Sequence, residues 1–145
     1  MKQVKKIFLI LVLVGFAFSC KTVDKSAKTD TAKSKYQTLA ETLTEECPIK
    51  EDEDFQIDYF KFDEAKSTFW IYMRFLDLEK KDYTDEELSV IKDMFTIGAL
   101  AGASAIVDDN PDFASFKEDK INTGFACKDE NGVELFDVIV EYDEY

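Results

Sequence analysis

The sequence predicts an α+β domain: a four-stranded antiparallel sheet with two helices packed mainly on one face, in the order helix, strand, strand, helix, strand, strand. Three observations carry this. Two alternating apolar runs, 55–62 and 68–78, are separated by a short polar turn. A capping box, Thr84-x-x-Glu87, opens a long run with helical apolar spacing. Asn131-Gly132, the chemistry of a tight hairpin turn, stands between two further strand-like runs. Hairpins imply antiparallel pairing, and helices have to cover one face of such a sheet.

The first predicted helix runs from Ser34 to Glu46, with Tyr36, Leu39, Ala40 and Leu43 on one stripe. Cys47-Pro48 ends it, because the residue before proline is pushed out of the α region. In the first strand Phe55, Ile57 and Tyr59 alternate with Gln56 and Asp58; the phase blurs at Tyr59-Phe60, which suggests a bulge. The second strand, 68–78, places Phe69, Ile71, Met73 and Phe75 on one face and Trp70, Tyr72, Arg74 and Leu76 on the other. The long helix, 84–107, carries the stripe Leu88, Ile91, Phe95 and Gly98; its second half is apolar nearly all round and is expected to be deeply buried. Asp108-Asp109-Asn110-Pro111 stops it. The last two strands, 120–127 and 133–142, follow, with Phe136, Val138, Val140 and Tyr142 on one face. Phe60 and Phe62, together with Trp70 and Tyr72, are expected to form an aromatic strip on the face away from the long helix.

The chain has 145 residues, 31 acidic against 18 basic, and no histidine, for a formal charge of −13. One domain is the expectation at this length. Such a charge repels phosphate backbones, so no nucleic-acid partner is expected. Without histidine there is no Ser-His-Asp triad, no Cys-His pair and no imidazole metal ligand. The 13 Phe, 6 Tyr and 1 Trp, most of them after Cys20, are enough for a core.

Lys2, Lys5 and Lys6 precede an apolar run from Ile7 to Phe18 that is too short to span a bilayer, which takes about 20 residues. This is the pattern of a secretory signal. Ala17-Phe18-Ser19-Cys20 resembles the lipobox of bacterial lipoproteins. The resemblance implies cleavage of residues 1–19 and lipidation of Cys20; Ala17-x-Ser19 also suits cleavage as an ordinary secreted protein. Two acyl chains hold a protein stably at a membrane where one does so only marginally. Removing residues 1–19 takes away three lysines and no acid, which moves the formal charge from −13 to −16. Lys21 lacks the Asp of inner-membrane retention, so the expected location is the cell envelope, at the outer membrane. Residues 20–34, poor in apolar side chains, read as the lipidated cysteine and a tether with a reach of about 20 Å. Residues 35–145 make the single α+β domain.

The mature region resembles small lipoproteins of the Bacteroidetes type, through Cys47-Pro48, Asn110-Pro111-Asp112 and Asp129-x-x-Gly132. The resemblance implies an envelope protein and transfers no catalytic residue.

Cys47 and Cys127 remain after Cys20 is lipidated, and in an exported domain they are candidates for a disulfide; the alternative is two small buried thiols. The runs 51–54 and 108–112 are carboxylate clusters without the spacing of an EF-hand, and read as a solvated loop and a helix stop rather than calcium sites. Residues 128–132 read as a hairpin turn rather than a metal or phosphate loop. Gly98-x-x-x-Gly102 reads as close packing on the sheet, with a dimer contact as the alternative. No catalytic residue, metal or cofactor is assigned.

Trp70 and Tyr72 are the candidate interface residues, since aromatics on a solvent-side sheet face are interface anchors; the alternative is that the first helix or a partner strand covers them. The function expected is that of a lipid-anchored envelope accessory protein holding a protein or peptide. The alternative is an acidic inhibitor or immunity lipoprotein that blocks a basic hydrolase or toxin, where the negative surface would speed association.

Overall fold

The computed structural model describes residues 32–50 and 53–144. The expected signal peptide, Cys20, nearly all of the tether, and Glu51 and Asp52 of the first acidic run lie outside the described residues. The element order is α1 (Ala32–Glu45), β1 (Ile49–Lys50), β2 (Phe55–Asp63), β3 (Thr68–Phe75), a 3-10 turn (Lys80–Asp82), α2 (Asp85–Asp109), β4 (Asn122–Lys128) and β5 (Glu134–Val140). Helix α1 starts two residues ahead of Ser34; Ala32 and Lys33 are good helix formers, so nothing forces the helix to wait for a cap.

The sheet has five strands in the order β1-β2-β3-β4-β5, and it is mixed. This corrects the expectation of four antiparallel strands. The two hairpins are as expected, β2 on β3 and β4 on β5. They meet, however, along β3 and β4, which run parallel with Ile71 opposite Phe125 and Met73 opposite Cys127. Hairpin logic does not extend across this seam. The chain leaves β3, crosses over through α2 and returns in the same direction, and a helical crossover between neighbouring strands gives a parallel pair. The short β1 pairs antiparallel with β2 at Ile49 and Lys50. Beyond it the Thr44 hydroxyl stands in for a strand, accepting from Phe60 N at 2.9 Å and donating to Phe60 O at 3.1 Å.

Both helices pack on the same sheet face. Tyr36 of α1 meets Phe62 with ring centroids 5.5 Å apart. Phe95 of α2 meets Phe75, Phe125 and Phe136 at 6.3, 5.8 and 5.6 Å, mostly edge-on, the arrangement the ring quadrupole favours. The 111–121 turn segment adds Phe113 and Phe116, both buried against Phe69. At the start of α2 the capping box forms: Thr84 accepts from Glu87 N, and Glu87 accepts from Thr84 N at 2.9 Å.

Three further expectations need correction. Phe60 and Phe62 are core residues, not part of an outer strip. The ladder slips between Ile57 and Tyr59, and the extra residue, Asp58, returns Phe60 and Phe62 to the side of Phe55 and Ile57. The second half of α2 is buried on one side only: Ile97 is 66% exposed. A single sheet can cover one side of a helix, and among the described residues no other element reaches its back. Finally, Cys47 and Cys127 are free thiols. The register explains this. Cys127 lies in one row with Met73, Ile57 and Ile49. Three strand spacings, about 14 Å, therefore separate it from the strand that follows Cys47, with Ile57 and Met73 between. A disulfide needs Cα atoms within about 7 Å.

Candidate functional site on the outer face of the sheet

Among the described residues no helix covers the other face of the sheet. The bulge at Asp58 puts Tyr59 there, opposite Tyr72 of β3, and their rings stack with centroids 4.0 Å apart and planes 16° from parallel. Trp70 follows at 6.4 Å from Tyr72. Across the parallel seam Trp70 is level with Gly124, and the indole lies over that residue's bare backbone. Trp70 is thereby 9% exposed, so the two tyrosines rather than the tryptophan present the accessible aromatic surface. Neither α1 nor a further strand does the covering.

Charged groups surround these rings. Arg74 donates to Asp58 Oδ2 through Nε and a terminal nitrogen at 3.0 and 2.7 Å, while Gln56 donates to Oδ1 at 2.6 Å. The Lys128 ammonium stands 5.9 Å from the Tyr72 ring centroid, within cation–π range. Asp63, Lys66, Trp70, Tyr72, Lys128, Glu134 and Asp137 line a shallow cavity of about 230 Å³. Burial pushes the Tyr72 phenol above its usual range; Asp137, and more weakly Asp63 and Glu134, add to the rise, and a hydrogen bond with Tyr59 opposes it. The Tyr59 phenol is raised by burial first and then by Tyr72. Both phenols are neutral O–H donors at neutral pH. The site offers stacking surface, donors and paired charges, which is the equipment of a binding surface.

The remaining candidates separate. Burial raises the Cys127 thiol well above its usual value, with Asp137 adding to it. Cys47 is raised by burial, against an opposing backbone hydrogen bond at Ile49. Neither is a thiolate nucleophile near neutral pH. Residues 128–132 form the expected turn: Gly132 has φ +81°, and the Asp129 side chain accepts from Asn131 N, Val133 N and Lys80 N at 2.9, 2.8 and 3.0 Å. In the second acidic run Asn110 closes α2 and accepts from Asp112 N at 3.0 Å. Among the described residues no three acidic or thiol side chains converge to hold a metal ion. Sequence reasoning missed Tyr59 and Gly124. The signals were present: the phase change in β2, and an isolated glycine inside a strand, which often marks close approach.

No protein-family model matches the chain, and no curated protein matches it in sequence. Two solved structures share its fold. A Pseudomonas aeruginosa protein described as secreted superposes with a TM-score of 0.58 at 7% identity, covering 77% of this chain and 90% of its own. A type II secretion system pilotin from Vibrio cholerae superposes with a TM-score of 0.50 at 15% identity, covering 78% of this chain and 91% of its own. At these identities the likeness is one of fold.

Proposed function

We propose that this chain is a lipid-anchored protein of the cell envelope, held at the outer membrane through Cys20, whose domain is a non-enzymatic accessory module that binds a protein or peptide on the outer face of its sheet. The observation that carries the reading is that face itself: Tyr59 and Tyr72 stacked next to Trp70 and beside a cavity, with no helix over them among the described residues. Aromatic groups that combine an apolar body with a polar tip are favoured interface anchors. The signal-like pattern of the first 20 residues and a fold shared with a protein described as secreted and with a secretion-system pilotin support a place in the envelope.

Two measurements test it. Growth with an alkyne-tagged palmitate should label the wild-type chain and leave Cys20→Ser unlabelled and released from membranes; an unlabelled wild-type chain refutes the anchor. The intact protein, crosslinked in envelopes at low and high salt, should retain one protein partner that is lost with Tyr72→Ala or Tyr59→Ala. A partner that salt releases and that ignores both substitutions would replace this reading with the acidic-inhibitor reading.

A further inference from the structure

Among the described residues the back of α2 is an unpartnered face, and its composition is unusual. The exposed side of a surface helix is normally polar. Here Val90, Ile97 and Leu100 are 56%, 66% and 38% exposed, and no charged residue occurs from Met94 to Val107 in a chain that is 34% charged. At helical spacing the outward stripe reads Glu86, Val90, Asp93, Ile97, Leu100, Ser104 and Asp108, so Ile97, Leu100 and Ser104 form an uncharged centre bracketed by Asp93 and Asp108, with Val90 beyond Asp93. From Asp93 to Asp108 it spans about 22 Å. The helix dipole does not favour the acids at the C-terminal end. Negative charge is unfavourable at that end of the helix dipole, the last turn holds no basic residue, and neither Asp108 nor Asp109 has a salt-bridge partner among the described residues.

We propose that this face is a docking surface for an amphipathic helix of another protein, with an apolar stripe of about four turns and a lysine or arginine at each end. Charge complementarity selects this occupant. Two copies of the present chain, centred on Ile97 and Leu100, would set Asp93 against Asp108 in antiparallel packing, or each acid against its own kind in parallel packing. An anionic lipid surface would meet the same acids with like charge. The inference is independent of the proposed binding role of the sheet face, which lies on the opposite side of the sheet from α2.

The test uses the full chain in neutral phosphatidylcholine nanodiscs and a fluorescent peptide of about 18 residues with a leucine stripe and lysines at both ends. A second peptide has the same stripe with glutamates at the ends, and empty discs are the background. The expected result is saturable binding of the lysine-ended peptide, about tenfold tighter than the glutamate-ended one at low salt. Ile97→Glu should abolish it. Asp108→Asn with Asp109→Asn should weaken it several-fold and flatten its salt dependence, and Ile139→Glu, exposed on the sheet face opposite α2, should leave it unchanged. Because Ile97 is exposed, its replacement should leave the circular dichroism spectrum intact. No binding, equal binding of both peptides, or binding indifferent to Ile97→Glu each overturns the proposal. So does a wild-type chain that dimerises through this face and becomes monomeric with Ile97→Glu.

Discussion

A Cβ built on Gly124 would stand 2.5 Å from Cε3 of Trp70, closer than two carbons can come. The parallel ladder puts these residues side by side, and the missing side chain at 124 is the space the indole fills. Gly124→Ala should therefore lift the indole off the sheet, at about 1–3 kcal/mol, the usual penalty of overpacking. Trp70 is the only tryptophan, so its emission reports the displacement directly. A red shift with a lower urea midpoint is expected; an unchanged emission maximum would mean that the indole is not held by Gly124.

Asp129 is 2% exposed and buried as an anion. Burial pushes its pKa up, but backbone N–H groups of Lys80, Val133 and Asn131 outweigh that and hold it below the usual carboxylate range. A lowered folded pKa contributes stability above the unfolded value of about 4 and loses it as pH falls through the folded value. Stability should fall on acidification below about pH 4, and Asp129→Asn should remove part of that slope. Asp129→Ala strands three buried donors and should cost about 3 kcal/mol at neutral pH. Denaturant titrations of the three proteins between pH 7 and pH 3 supply the comparison.

The parts of this fold legible in the sequence are those governed by local chemistry. The capping box at Thr84 and Glu87, the core stripe of Phe69, Ile71, Met73 and Phe75, and the turn at Gly132 follow from neighbouring residues and appear as expected. What was not legible is long-range. Nothing near Trp70 or Gly124 in the chain says that they will meet, because the parallel seam is set by the whole β3–α2–β4 crossover. The same holds for the exposed back of α2: an all-apolar run shows that a helix can be buried on every side, and only the tertiary packing shows that one side was left. At the outer face, Tyr72 could be placed by alternation, whereas Tyr59 could not, since one inserted residue at Asp58 reverses the phase.

Tyr36 ties α1 to the segment before β4. Its hydroxyl donates to Asp119 Oδ2 at 2.6 Å and lies 2.7 Å from Ser115 Oγ, and its ring packs edge-on against Phe116 at 5.0 Å. Tyr36→Phe keeps the ring and removes the hydrogen bonds, at about 1.5–3 kcal/mol for a bond to a charged acceptor. The loss should be concentrated in α1, which packs mainly on β2 near one edge of the sheet. Amide exchange should accelerate in 36–45 more than in β3 or β4. Uniform acceleration across the sheet would show that α1 and the sheet open together.

The two thiols differ enough to be told apart in the folded protein. Cys127 sits on the core face of β4, fully packed, with its thiol raised well above the usual range by burial. Cys47, at the end of α1, is half-buried, and its Sγ lies 3.5 Å from Leu43 O. Alkylation requires the thiolate and an open path, so a maleimide probe at neutral pH should modify Cys47 slowly and Cys127 only on unfolding. Intact mass before and after reduction should show no change attributable to a 47–127 bridge. If Cys127 instead reacts in native buffer at the rate of Cys47, the β4–β5 hairpin opens locally. The reaction should then persist at urea concentrations too low to unfold the chain, which distinguishes local from global opening.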